Sequence, residues 1–291
     1  MMWPPWSVVL AGGDGLRVSA LTRGRDGTPA PKQYCRLGGR PPMVRWAIER
    51  ACRILPKRRV LVVVNEGHRR FWEQDLADIP RPNLLVQPAN RGTAAGVLLG
   101  LLAVEARANA SAPIVFLPSD HYVSDENVLR ESMARAVAAI ERDAAGILLL
   151  GTDPTDRDQE YGWILPDADA DLARVQQFVE KPAAAAARDL AGIGALVNTF
   201  VIVARVQAMI RLFERLLPDV LSAFRAHVGR ASGAWNLDAV YESIPPRDLS
   251  RDVLQRSPEC LSVVRVPACG WSDLGTPARL LSFLGQPATA A

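Results

Sequence analysis

Short runs of consecutive apolar residues, separated by segments of helical period, constrain this chain most. Val60-Leu61-Val62-Val63-Val64 carries no polar alternation. A strand with one wet face alternates polar and apolar side chains. One that is apolar throughout is covered on both faces, the usual condition of a parallel sheet. Residues 7–10, 84–86, 114–117 and 146–150 read as further strands. Between them, 43–55 places Val44, Ala47, Ile48 and Ala51 at helical spacing, and 68–77, 93–106 and 126–142 also read as helices. Strands alternating with helices predict a mostly parallel α/β sheet covered on both faces. Ligands of such sheets lie at the carboxyl ends of the strands.

The rhythm changes after residue 151. Segments 161–165 and 172–179 read as a pair of strands, with an antiparallel arrangement open. An alanine-rich helix (183–191), a strand (197–203), helices at 206–216, 218–228 and 237–244, a strand (261–266) and a last helix ending near 284 follow. No Gly/Ser-rich linker or internal repeat interrupts the chain. The expectation is therefore one domain over 1–291, with a change of character near residue 150. Hydrophobic residues make up 49%, enough for a real core. The net charge of +3 argues against nucleic acid and anionic membranes as partners. The four cysteines have neither CxxC spacing nor histidine partners, so a reduced, cytoplasmic setting is expected. The opening segment lacks a basic leader, and no apolar run approaches the roughly 20 residues of a membrane helix.

The first strand runs into Ala11-Gly12-Gly13-Asp14-Gly15, a turn for glycines, which alone reach positive φ without steric cost. Such a loop exposes backbone N–H groups that can cradle an anion, and Arg17, Arg23, Arg25 and Lys32 follow it. A polyphosphate suits this neighbourhood. No Lys-Ser or Lys-Thr pair completes a Walker loop, and Val18 stands where a dinucleotide fingerprint needs its third glycine. A plain glycine-rich turn is the competing reading. Of the 34 basic residues only Lys32, Lys57 and Lys181 are lysines, and two of these fall in the segments singled out here. A compact ammonium is not interchangeable with a guanidinium at a tight phosphate site.

Two carboxylates stand at turns. Asp120, in Pro118-Ser119-Asp120-His121, ends an apolar strand and can hold Mg²⁺ beside phosphate oxygens; a helix N-cap is the alternative. His121 beside it reads as a positioning residue. Asp273, in Gly270-Trp271-Ser272-Asp273, is the second such carboxylate, and a cap is its plain reading, since Thr276-Pro277 opens a helix. Glu180-Lys181-Pro182 closes a strand and otherwise reads as a surface ion pair. In the segment 87–94, Asn90 and Thr93 are candidate helix caps.

Taken jointly, GGxGxR, PKQ, PSDH, FVEKP and GWSD resemble the sugar-phosphate nucleotidyltransferases. The PKQ and PSDH forms resemble their mannose-1-phosphate guanylyltransferase branch. The resemblance runs from Val8 to about Leu281 and implies a GT-A-like α/β fold with a mixed, mostly parallel sheet. It implies transfer of GMP from GTP to mannose 1-phosphate, giving GDP-mannose and pyrophosphate, by in-line attack on the α-phosphorus. Asp120 and Asp273 would hold Mg²⁺, and Arg17, Lys32 and Lys181 would complete the catalytic set. Ala11, Gly12, Gly13, Gly15, Arg17, Lys32, Gln87, Asn90 and Thr93 would bind the nucleotide. Gly162, Glu180, Lys181 and Asn198 would bind the sugar phosphate, which makes about 1–150 the nucleotide-binding half and about 151–291 the sugar-phosphate-binding half of a single catalytic domain over 1–291. Nothing resembles the cupin isomerase domain or β-helix tail of longer relatives, so the catalytic unit alone is expected, with self-association left open. Leu16 replaces a usual Thr, and Val197 a usual Trp. Two alternatives stand: another NDP-sugar pyrophosphorylase, and a catalytically silent nucleotide-sugar sensor.

Overall fold

A computed structural model describes residues 4–15, 18–23, 28–142, 146–155, 159–227 and 235–285. The apolar runs become strands of one nine-stranded sheet. Strands β1 (Trp6–Ala11), β2 (Val60–Asn65), β3 (Leu84–Gln87) and β4 (Pro113–Pro118) pair in parallel in the order β3-β2-β1-β4. Every residue of β2 and β4 is buried, which accounts for the missing polar alternation.

The second half of the chain continues the same sheet in mixed sense. Strand β8 (Leu196–Arg205) lies antiparallel between β4 and β5 (Ile147–Thr152). Beyond β5 come β9 (Ser262–Val266), parallel to it, then β7 (Leu172–Glu180) and β6 (Gly162–Pro166), both in antiparallel pairings. The strand pair left open in the sequence is thus antiparallel. A fully buried strand carries the same apolar run in either direction, so the reversal of β8 has no sequence mark of its own.

Alternate side chains feed two cores. Val8, Leu61, Val63 and Phe116 face α3 (Gly92–Arg107), α6 (Val206–Leu216), α7 (Pro218–His227) and α8 (Leu237–Ser243). Val9, Val62, Val64 and Leu117 face α1 (Met43–Cys52), α2 (Arg69–Asp75), α4 (Glu126–Glu141) and α5 (Ala184–Gly192). Helix α3 lies close against the sheet: a Cβ on Gly100 would come within 2.8 Å of Val8. A smaller cluster, including Val18, Cys35, Tyr122, Leu274 and Leu280, seats the segment after the glycine loop against α9 (Pro277–Leu284). No described helix is long and apolar enough to cross a membrane.

Candidate active site

The carboxyl ends of β1, β3 and β4 open into a cavity of about 460 Å³, whose far wall comes from the second half of the chain. Of the residues singled out in the sequence, Gly12, Gly13, Gly15, Lys32, Gln87, Asn90, Thr93, Asp120, Gly162, Glu180, Lys181, Asn198 and Asp273 all line it. Ala11 does not. It is fully buried, and its carbonyl accepts Gln33 Nε2 at 3.0 Å and the Tyr34 hydroxyl at 3.4 Å. Arg17 lies outside the described residues.

The glycine loop works differently from the expectation. Within it only Gly15 has positive φ, at 62°. Gly12 is required for space instead: a Cβ there would overlap Gln87 Nε2. The loop is pinned from inside by Gln33, whose amide also donates to the Gly13 carbonyl at 2.7 Å. Asp14 closes it from outside, accepting Asn90 Nδ2 at 2.8 Å with His68 Nε2 at 3.5 Å. Gln33 stands in the PKQ segment, where residue type alone points to no role. Its partners are main-chain atoms twenty or more residues away, which no spacing rule reveals.

The two aspartates meet because their segments are stitched together. Tyr122 and Ser272 exchange backbone hydrogen bonds of 2.9 and 3.0 Å, an isolated antiparallel bridge 150 residues apart. Between them lies the buried Lys32, which donates to Asp120 Oδ2 at 3.0 Å and to the Asp273 carbonyl. Burial works to raise the Asp120 carboxyl, but the Lys32 ammonium and His121 outweigh it and hold it below the usual carboxylate range. Burial pushes the His121 imidazole down to about 4, so it is neutral at physiological pH. Asp273 Oδ1 accepts Arg279 at 2.5 Å and Gly275 N at 2.9 Å. Arg279 itself stacks on Tyr161, 4.3 Å from the ring centroid. Neither aspartate caps the next helix: Asp125 caps α4 and Thr276 caps α9.

Among the described residues no group of three or more His, Cys, Asp or Glu is placed to hold a metal. Beside Lys32 the cavity offers two carboxylates from distant segments, Asp120 and Asp273. That donor set fits Mg²⁺, which takes one or two protein carboxylates and completes its shell with phosphate oxygens and water.

The second wall is built on strained backbone. Lys181, Phe200 and Leu274 are the non-glycine residues with positive φ among those described, at 49°, 59° and 46°. Each such residue costs on the order of 1–3 kcal/mol, and each lies on the cavity or beside Asp273. At Lys181 the turn follows the end of β7, with its N–H bonded to the Tyr161 carbonyl at 3.0 Å. Its amine reaches only to 3.9 Å from Glu180 Oε1 and stays exposed. Asn198 Oδ1 accepts Phe200 N at 3.1 Å, fixing a bulge in β8 where pairing with β5 slips between Leu149 and Gly151. Burial, then the nearby Asp248, pushes the Glu180 carboxyl up to about 7, against Lys181, Ser250 and Arg251, which pull it down.

Gln87, Asn90 and Thr93 are tied to the protein as well as to the cavity. Gln87 Oε1 accepts the Tyr241 hydroxyl at 2.8 Å, and Asn90 Oδ1 accepts Gly92 N at 2.9 Å. Thr93 accepts Leu249 N at 2.7 Å and donates to Asp248 at 3.4 Å. Asp248 and Ser250 line the cavity too. They carry no motif, and only the fold brings them to it.

A mixed α/β sheet, a glycine loop at one strand end, and two carboxylates beside a buried lysine define a nucleotide-handling enzyme of the phosphoryl-transfer class. A nucleotidyl transferase family profile matches residues 6–286, and the chain belongs to that family. It is 30% identical to a Thermus thermophilus protein described as a mannose-1-phosphate geranyltransferase. That match has a TM-score of 0.83 over 97% of this chain and 80% of the other. It is 28% identical to the mannose-1-phosphate guanylyltransferase of Escherichia coli (strain K12) over 93% of this chain and 58% of the relative. It is 28% identical to xanthan biosynthesis protein XanB of Xanthomonas campestris pv. campestris (strain B100) over 96% of this chain and 59% of the relative. The chain thus spans a little over half the length of these curated relatives.

Proposed function

We propose that this chain is a sugar-phosphate nucleotidyltransferase that transfers GMP from GTP to mannose 1-phosphate. An oxygen of the sugar phosphate attacks the α-phosphorus in line. The new O–P bond forms as the bond to the bridging oxygen breaks, and pyrophosphate leaves. The observation that carries this reading is the single cavity lined by both Lys32, beside the glycine loop, and Lys181, on the strained turn after β7. Lys32 neutralises the pyrophosphate side and Lys181 holds the sugar phosphate, with Glu180 and Asn198 toward the hydroxyls. Asp120 and Asp273 would hold Mg²⁺, which when bound supplies charge neutralisation to the phosphates. Positioning and electrostatics carry most of such a reaction. The names of the relatives support guanine and mannose as the pair.

The test is pyrophosphate release with GTP, ATP, UTP and dTTP against a panel of hexose 1-phosphates. A pocket that accepts from guanine N1–H and N2–H₂ leaves buried acceptors unpaired when ATP enters, at ~1–3 kcal/mol for each group. GTP should therefore exceed ATP by ~10²-fold or more in kcat/KM. The Ala11 carbonyl is already taken, so the acceptors are to be sought at Gly12 and over 87–90. Equal use of GTP and dTTP would remove the guanylyl assignment. Tight binding of both substrates without pyrophosphate release would mark a sensor instead.

A further inference from the structure

The wall beside Glu180 contains a second carboxylate that no motif assigns. Asp248 lies in the segment that leads into a single π-type turn, Ser250–Leu254. This segment is clamped to the start of α3: Arg247 N donates to the Arg91 carbonyl at 3.0 Å, and Ala94 N to the Arg247 carbonyl at 3.1 Å. The clamp fixes Asp248, whose Oδ1 accepts Arg251 N at 2.9 Å and whose Oδ2 takes the Thr93 hydroxyl. Ser250, two residues on, hydrogen-bonds the Glu180 carboxyl. Glu180 is walled on its other side by Gly162, where a Cβ would come within 2.7 Å of Oε2.

We infer that Asp248 is a specificity-determining residue: with Glu180 it makes this end of the cavity a pair of hydrogen-bond acceptors of negative charge. Such a wall admits a hexose 1-phosphate that presents hydroxyl donors and rejects one that carries a carboxylate of its own. This deepens the proposed function and rests on it. Like charges brought together across a binding surface cost affinity and serve to exclude wrong partners. The charged groups acting on Glu180 are Asp248, Lys181 and Arg251, and Glu160 lines the same cavity. Among the described residues lining this wall, Lys181 is the cation, and the proposed function engages it with the phosphate; Arg251 acts from behind the lining. Because Glu180 titrates near 7, hydroxyl donors that bind its ionised form expel a proton.

Asp248→Asn tests this, since the amide oxygen keeps the Arg251 contact while the charge is removed. Affinity is measured by calorimetry at pH 8, with and without a non-hydrolysable GTP analogue, for a neutral hexose 1-phosphate and the matching hexuronic acid 1-phosphate. The wild-type protein should favour the neutral ligand by at least ~30-fold, and Asp248→Asn should narrow the ratio by ~10-fold. Near pH 7, buffers of different ionisation enthalpy should report proton release on binding that largely disappears in Asp248→Asn. An unchanged ratio with binding intact overturns the inference and leaves the proposed function standing. No binding of any hexose 1-phosphate, in either condition, overturns both.

Discussion

Lys32 is only 3% exposed and holds Asp120 and the Asp273 carbonyl at once, so its removal acts on both aspartates. Asp120→Asn and Asp273→Asn should each lower kcat by at least ~10²-fold, the scale of losing one well-placed electrostatic element. Steady-state turnover near wild type in either variant would remove that residue from the phosphate machinery. The lysines should divide by substrate: calorimetry on Lys181→Ala is expected to lose sugar-phosphate binding and keep GTP, and Lys32→Ala the reverse. Glu180 adds a pH dependence whose sign is fixed. Its folded value near 7 lies above the ordinary 4.5, so the protonated form is favoured in the fold. That contribution is complete below about 4.5 and is lost as pH rises through about 7. The loss is on the order of 3 kcal/mol, and Glu180→Gln should flatten it in urea melts across this range. At this scale the sequence was legible in which residues reach the cavity wherever a motif carries them, as at Lys32, Asp120, Glu180 and Asp273. Gln33, Asp248 and Arg279 were not, because their partners lie across the fold and their residue types are ordinary.

Helix α3 shows how tightly the elements constrain one another. A methyl on Gly100 would enter the space of Val8 and come within 3.3 Å of Phe116, so Gly100→Ala should destabilise by about 1–3 kcal/mol through overpacking. Chemical denaturation would read it as a lower midpoint at unchanged slope. Helix α1 contributes the buried Arg50, which pairs with Glu126 at the start of α4 through contacts of 2.9 and 2.7 Å. Its guanidinium also reaches the His121 carbonyl at 3.5 Å, next to Asp120. Arg50→Met should cost about 2–3 kcal/mol, below the ~3–5 of a fully buried pair, since Glu126 is 22% exposed. Elements were the most legible level. Most of the labelled strands and helices left an apolar run or a 3.6-residue period, and the bounds moved by only a few residues. The π-type turn at 250–254 escaped because it has no period of its own, and it is the element that delivers Asp248 and Ser250.

On the scale of the molecule, the cavity is lined by two halves of the chain that share one sheet. Substrates that touch both walls should couple them. With each ligand at ~100 times its dissociation constant, stabilisation of ~2.7 kcal/mol per ligand is expected. A thermal melt should therefore rise further with GTP and sugar phosphate together than with either alone. The α/β class was legible because alternating buried strands and amphipathic helices admit few other architectures. The order of the strands was not, because apolar runs say how deeply a strand is buried and nothing about its neighbour.

That order has a consequence for how the protein is made. Strand β8 sits between β4 and β5, yet it is synthesised after both. A chain leaving the ribosome therefore presents β4 with an unpaired edge from residue 118 until residue 205 has emerged. At ordinary elongation speeds this interval lasts roughly 5–20 s. An apolar strand with a bare edge is a template for pairing with a neighbouring nascent chain. Yield in a cell will accordingly follow the pace of translation and the supply of chaperones more closely than the stability of the finished fold.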